Sequence, residues 1–374
     1  MFSNPFPEAF GLDIGDLSIK FVQLYNSSLR HRSATFDYRV ARSIRLPHGL
    51  ILDGELQQPE KIRHYIEHLL TGVKRKQKPV RSPWIVASLP ETRSFIKLIE
   101  LPKPENEIIE DDIKESLKKH VPFDLDDKKD PYYLDWQIIP MEKQEKDTTS
   151  ILVGTVPKKT ADSYTYLFES LGLGVIALEI EALSIARAMV TAKKKYVGEA
   201  RAILDIGAAR SSLIIFDNDT IQFSTSLSYS GEKVTAELED KLNIDYDKAE
   251  KIKINRGLKY SKENDVKKAW EVMSKTTDNL VQEIEKAIKF YYSHFKNTNK
   301  INHITMCGSG SAMKNLPDVL SHKLNIESKP GRVWKNLSSK KGKLPNRDES
   351  LGFATAIGLA LRAADNPFIK KDII

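Results

Sequence analysis

The chain has 374 residues, is 40% hydrophobic and 29% charged, and carries 58 Lys and Arg against 51 Asp and Glu, a net charge of +7. That length exceeds the roughly 250–300 residues over which one core keeps growing, so at least two domains are expected. No apolar run approaches the ~20 residues of a membrane span, the start Met1-Phe2-Ser3-Asn4-Pro5 lacks a signal-peptide pattern, and a lone cysteine, Cys307, excludes an internal disulfide.

In chain order, an apolar run leads into Gly11-Leu12-Asp13-Ile14-Gly15, a second strand covers 18–24, and Asn26-Ser27-Ser28 supplies turn chemistry. A helix is expected over 59–73 and a strand over 84–89. Residues 94–101 read as a strand, 105–119 as an acidic-starting helix, and 132–139 and 150–156 as strands, with a polar loop at 142–149. A helix at 160–171, a strand at 175–179 and a helix through Met189 follow. Then the opening unit recurs. Leu204-Asp205-Ile206-Gly207-Ala208 ends an apolar run, a strand covers 212–216, and Asp217-Asn218-Asp219 turns back. Over 278–295, Leu280, Ile284, Ile288, Tyr291 and Phe295 form one helical stripe that reads as core packing. Finally Ile304-Thr305-Met306-Cys307-Gly308-Ser309-Gly310-Ser311 reads as a strand feeding a glycine-rich turn, with a helix from 312 to 324. Cys307 reads as a small buried hydrophobe.

The duplicated Asp-Ile-Gly turn carries the chemistry. Glycine at the tip lets the backbone approach a ligand and aims successive N–H groups at the same oxygens. An Asp beside such a nest repels bare phosphate, so it makes sense as a partner, direct or through water, of phosphate-bound Mg²⁺. One copy is an ordinary turn; two copies facing across a cleft would clamp one triphosphate. Basic clusters at 74–78, 193–195 and 335–343 read as solvated loops or helix ends, or else as attraction to an anionic membrane leaflet worth about 1 kcal/mol per residue. No aromatic-interleaved basic platform accompanies them, so nucleic acid is not an expected partner.

These loops resemble those of the actin-like ATPase superfamily, which includes sugar kinases, heat-shock chaperones, actin, FtsA and PilM. The narrower resemblance is to the PilM family and rests on His120-Val121-Pro122-Phe123, Asp135-Trp136-Gln137-Ile138-Ile139, residues 153–159, Gly231-Glu232-Lys233-Val234-Thr235, and residues 248–253, 283–290 and 356–362. It implies an α/β actin-like ATPase fold, two duplicated lobes around a nucleotide cleft, with an inserted 1C-type strand-helix-strand-strand subdomain. The implied divisions are a first lobe over 1–93 and 173–199, the insert over 94–172, a second lobe over 200–230 and 301–374, and a 2B subdomain over 231–300.

The resemblance also implies site residues. Asp13 and Asp205 would hold Mg²⁺ through water, while Gly15, Asp16, Leu17 and Ser18, with Gly207, Ala208, Ala209 and Arg210, would offer backbone donors to the phosphates of ATP. Lys20 reads either as a phosphate partner or as an outward strand lysine. Gly231 and Lys233 would begin a helix whose free N–H groups face the nucleotide. Glu250 and Lys253, on one helical face, would reach the ribose and adenine, and Gly308, Ser309 and Gly310 would close the adenosine pocket. Glu179 would position the attacking water, with Glu181 as the alternative; either also reads as an acidic helix start. Asp16, Ser230 and Ser309 depart from the family pattern, which implies occupancy by nucleotide with at most slow hydrolysis.

The implied function is a cytoplasmic ATP-binding platform of type IV pilus assembly at the inner membrane face, which captures the N-terminal cytoplasmic peptide of the membrane protein PilN in a groove between the first lobe and the insert. Other platform and motor proteins, and self-association, would follow. The alternatives are an FtsA-like division protein, disfavoured by a tail after Ala364 too short for an interfacial helix, and a small-molecule kinase, for which the insert offers no substrate pattern.

Overall fold

The computed structural model describes residues 5–26, 36–72, 77–121, 123–125, 127–141, 147–192, 194–260, 262–337 and 346–365. The expected turn at 27–28, most of the basic run at 74–78, Pro122 of the His-Val-Pro-Phe motif, the loop at 142–146, Lys193, the basic run from 338 and the tail from 366 lie outside them.

The first lobe begins with strands β1 (Phe10–Gly15), β2 (Ser18–Asn26) and β3 (Phe36–Arg45), followed by the short pair β4 (Ile51–Leu52) and β5 (Glu55–Leu56), helix α1 (Pro59–Thr71) and strand β6 (Trp84–Leu89). The β1–β2 ladder places Asp13 opposite Lys20 and Gly15 opposite Ser18, so the first Asp-Ile-Gly turn sits at a hairpin tip. β6 runs parallel to β1, and both are buried on their two faces, as their near-continuous apolar sequences require. Helix α1 covers one face with Ile62, Ile66 and Leu69.

The insert contains β7 (Phe95–Leu101), α2 (Glu110–Leu117), β8 (Tyr132–Ile138) and β9 (Thr149–Pro157). Ile113 and Leu117 of α2 pack on Ile99, Leu101, Ile151 and Val153. The expected helix at 105–119 is shorter. Residues Glu105–Glu107 form a 3₁₀ turn and Ile108 and Ile109 are extended, because Asp112 reaches back to accept from the Ile109 N–H at 3.2 Å and starts the helix there. Helix α3 (Lys158–Glu169), expected as part of the insert, instead joins the first-lobe core through Tyr164, Leu167 and Phe168. Strand β10 (Gly174–Ile180) then completes a five-stranded sheet in the order β10-β6-β1-β2-β3, and helix α4 (Glu181–Met189) leads out.

In the second lobe β11 (Glu199–Ile206), β12 (Ser211–Asp217) and β13 (Thr220–Leu227) repeat the opening meander, with Asp205 opposite Ser212 as Asp13 is opposite Lys20. Helices α5 (Gly231–Leu242), α6 (Tyr246–Arg256) and α7 (Asn264–His294) follow. Strand β14 (Lys300–Cys307), helix α8 (Leu316–Leu324), strand β15 (Glu327–Pro330) and helices α9 (Arg347–Ser350) and α10 (Ala354–Ala363) close the chain. The helix expected from 312 to 324 is divided: a 3₁₀ turn ends at Ala312, Asn315 takes φ +64°, and α8 starts beyond it with Pro317 in its first turn.

The second sheet has eight strands in the order β15-β14-β11-β12-β13-β7-β9-β8, so the insert continues the second lobe's sheet although its sequence interrupts the first. The seam is narrow, a single pairing of Phe223 with Lys97. Helices α4 and α10 cross in contact between the lobes: a Cβ on Gly358 would stand 1.8 Å from the Ser184 carbonyl oxygen. On the sheet side of α10, a Cβ on Gly11 would meet Ala356 and Ala360 backbone at 2.4–2.5 Å, so β1 lies directly beneath it. Among the described residues no helix is long and apolar enough to cross a membrane.

Candidate functional site

The two Asp-Ile-Gly turns face one cleft enclosing about 690 Å³ of space, part of it open to solvent. From the first lobe Asp13, Gly15, Asp16, Leu17, Ser18 and Lys20 line it; from the second come Asp205, Gly207, Ala208, Ala209 and Arg210. Gly308 and Ser309 line the same space. Local constraints explain two of the glycines. The Gly207 N–H donates to the Arg210 carbonyl at 2.8 Å, and a Cβ there would stand 2.5 Å from that oxygen, so the turn can close only on glycine. Gly308 takes φ +81°. At Gly15 a Cβ would meet nothing nearer than 3.5 Å, so the chain itself does not demand a glycine on that part of the wall.

The electrostatics are dominated by buried acids. Asp13 accepts from Ser88 Oγ at 3.2 Å and lies 3.3 Å from Lys20 Nζ. Burial, reinforced by the Asp13 charge, pushes the Asp205 carboxyl above its ordinary range despite Cys307, Lys20 and Arg210 nearby. Burial likewise pushes Glu181 up to about 8, with Asp13, Glu91 and Asp205 adding to it and Arg210 opposing. Glu91, which accepts from Ser224 Oγ of the second lobe, is pushed up to about 7 by burial. Glu91 Oε2 and Ser211 Oγ are buried in this wall with no hydrogen-bond partner among the described residues. Such a set of hard oxygens suits a magnesium ion that keeps much of its water. Among the described residues no group of three or more His, Cys, Asp or Glu could hold a metal ion directly.

Several expected residues stand elsewhere. Glu179 does not line the cleft: its carboxylate is held by Arg187 at 2.7 and 2.8 Å and by Arg362, and these guanidiniums outweigh burial and keep it below the usual range. Glu181, the alternative, does line it. The N–H groups that begin α5 are not free. Gly231 donates to the Gly207 carbonyl at 3.2 Å, Glu232 to that of Ala208 at 2.8 Å, and Lys233 to Ser230 Oγ at 3.2 Å, because serine at this position caps the helix itself. Lys253 is taken up by Glu250 at 2.6 Å, the Gly231 carbonyl at 2.9 Å and Thr235 Oγ1 at 2.7 Å, so the Glu250 and Lys253 pair fastens α6 to the start of α5. Gly310 is a packing residue, where a Cβ would meet Ile206 Cγ2 at 2.4 Å. Lys335, expected on a solvated loop, instead donates to the Met189 carbonyl and, with Asn336, caps the end of α4. Glu91 and Thr92, which sequence reading did not single out, join the cleft from the carboxyl end of β6. The signal was an acid two residues past the end of a buried parallel strand, where α/β sheets gather their ligands.

The family model for type IV pilus assembly protein PilM matches residues 11–364. The cell division protein FtsA of Buchnera aphidicola subsp. Baizongia pistaciae (strain Bp) is 26% identical over 214 residues, covering 51% of this chain and 50% of FtsA, so the chain spans about half the length of this curated relative. Among solved structures, the PilM-PilN type IV pilus biogenesis complex superposes with a TM-score of 0.79 at 21% identity, over 96% of this chain and 100% of that one. The ethanolamine utilization protein EutJ from Carboxydothermus hydrogenoformans gives 0.53 at 12% identity, over 94% and 88%. The fold is that of the actin-like ATPases.

Proposed function

The chain belongs to the type IV pilus assembly protein PilM family, and from that premise we propose that it is an ATP-binding platform of the pilus machine that docks the N-terminal cytoplasmic peptide of a PilN protein. The observation that carries the nucleotide half is the pair of Asp-Ile-Gly turns opposed across one cleft, with Asp13 and Asp205 both in its wall. Asp13 and Asp205 would hold Mg²⁺ through water, and the ion would screen the polyphosphate from these carboxylates. The N–H groups of Ala208 and Ala209 donate to no described backbone acceptor and are the donors left for phosphate once Gly207 has closed its turn.

Support for the peptide half lies at the insert. Among the described residues β8 pairs only with β9, so its outer edge ends the eight-stranded sheet. Tyr133 and Trp136 on this strand are exposed. An extended peptide adding to such an edge gains main-chain hydrogen bonds, and aromatic side chains beside it supply specificity. Linkage of the bound PilN to the pilus motor belongs to the same reading.

A fluorescent PilN N-terminal peptide titrated against the full chain tests it. Saturable binding that weakens by about tenfold or more in Trp136→Ala, on the scale of an aromatic anchor, is the expected result. Absence of binding to the wild type would remove the partner from the account.

A further inference from the structure

Among the described residues lining the cleft, the cations are Lys20 and Arg210. Lys20 is engaged by Asp13. Arg210, on the second-lobe turn, is partly buried and reaches across to the first lobe. There its Nη2 lies 3.5 Å from Asp16 Oδ1 and 3.4 Å from Glu181 Oε1, and its Nη1 lies 3.3 Å from Thr92 Oγ1. None of these has the ~2.7–2.9 Å length of a fully made charge-assisted bond. Elsewhere in the protein such bonds are made: Arg187 holds Glu179 at 2.7 and 2.8 Å, and Lys253 holds Glu250 at 2.6 Å. The Arg210 guanidinium is therefore spread over several long contacts rather than committed to one partner. Beside it in the same wall lie Ser211 Oγ and Glu91 Oε2, buried and unpartnered among the described residues.

We propose that Arg210 reads the terminal phosphate of a nucleoside triphosphate: a γ-phosphoryl group entering between the turns takes the guanidinium from Asp16 and Glu181, whereas a diphosphate leaves the cross-lobe contacts in place. The inference rests on the nucleotide cleft proposed above and assigns to one side chain the distinction between its two ligands. The planar fork of arginine matches three equatorial phosphate oxygens better than it matches two separate carboxylates at 3.4–3.5 Å. Releasing the acids is tolerated. Asp16 keeps the Gly54 N–H at 3.2 Å; burial raises Glu181 to about 8, so it is largely protonated at neutral pH already, and burial raises Asp16 too, which eases its protonation when the arginine leaves. Because Arg210 belongs to one lobe and its present partners to the other, the exchange replaces a protein-protein bridge across the cleft with a ligand bridge. The two nucleotides thereby favour different lobe arrangements to the extent that their affinities for them differ.

The test is calorimetric titration of ATP and of ADP, each with Mg²⁺, into the wild type, Arg210→Gln, Arg210→Lys and Asp16→Asn, with melting curves as a fold control. Arg210→Gln should weaken ATP by about 10–100-fold, the scale of hydrogen bonds to a charged group, and ADP by less than about threefold. Arg210→Lys should fall between, since it keeps the charge without the fork, and Asp16→Asn should strengthen ATP by releasing the guanidinium. Equal losses for ATP and ADP in both arginine variants, or unchanged ATP affinity, would overturn the proposal and leave the cleft reading intact. A wild type that binds neither nucleotide would overturn the cleft reading, and this inference with it.

Discussion

Five acids line the cleft, Asp13, Asp16, Glu91, Glu181 and Asp205, against the cations Lys20 and Arg210. That imbalance makes the site sensitive to pH near neutrality. With folded-state values raised to about 7 for Glu91 and about 8 for Glu181, the native protein holds protons that the unfolded chain has released above its carboxylate range. Their contribution to stability is therefore complete below the unfolded value of 4.5 and is lost progressively as pH rises from there to about 7 for Glu91 and about 8 for Glu181. Urea midpoints should fall across that window, and Glu181→Gln should flatten the fall; a midpoint that rises through it in the wild type contradicts the assignment. A polyphosphate entering this wall adds negative charge and favours the protonated acids further, so ATP binding at about pH 7.5 should take up protons, as calorimetry in buffers of different ionisation enthalpy would register. Two residues before Glu181, Glu179 has a different task. It ties β10 to Arg187 of α4 and Arg362 of α10. Glu179→Ala should cost roughly 3 kcal/mol in urea unfolding, toward the low end for a broken buried pair because both arginines reach water. Loss of nucleotide affinity in a fully folded Glu179→Ala protein would return this residue to the site.

At the scale of elements, most of the strand and helix order was legible, because buried parallel strands and amphipathic helices carry strong apolar patterns. The exceptions have local causes. Helix α7 extends back to Asn264, well before the expected start at 278, since its buried face continues through Thr277, Met273 and Ala269. The polar run Ser274-Lys275-Thr276-Thr277 hid that face, yet the Thr277 hydroxyl is satisfied by the Met273 carbonyl at 2.8 Å and sits inside as comfortably as an apolar residue. The two acids at the β10–α4 corner could not be told apart by spacing alone; only the partners in α4 and α10 separate them. The seam between insert and second lobe was also illegible, because Lys97 carries no sequence signal of burial. In the structure it is buried with its ammonium 5.2 and 5.3 Å from the centroids of Phe290 and Phe295 and 3.3 Å from His120 Nδ1. Lys97→Ala should destabilise the protein by about 1–2 kcal/mol and Lys97→Met by less, because a methionine keeps the packing on the rings. Hydrogen exchange in β7 and β13 should rise in the alanine variant; unchanged protection there would mean that the seam is held by other contacts.

For the whole molecule, the duplicated turn was enough to imply a two-lobed body, and the ladders repeat it: Asp13 faces Lys20 in one lobe and Asp205 faces Ser212 in the other. What the sequence could not reveal is how the insert is mounted, since pairing between distant strands leaves no mark on local pattern. The insert joins the second lobe's sheet while α3, beside it in sequence, packs into the first. A change in lobe angle would therefore act on the insert from both sides, and on the function proposed above this would give a bound nucleotide a physical route to the β8 edge, limited by how differently ATP binds the two arrangements. The account stands on the cleft being a nucleotide site, and calorimetric titration of ATP with Mg²⁺ into the intact chain tests that most directly. It predicts one molecule bound per chain, with affinity lost in Asp13→Ala and in Asp205→Ala while both variants remain folded. Absence of binding up to about 1 mM ATP, an affinity limit of roughly 4 kcal/mol, or binding indifferent to both substitutions, would contradict it.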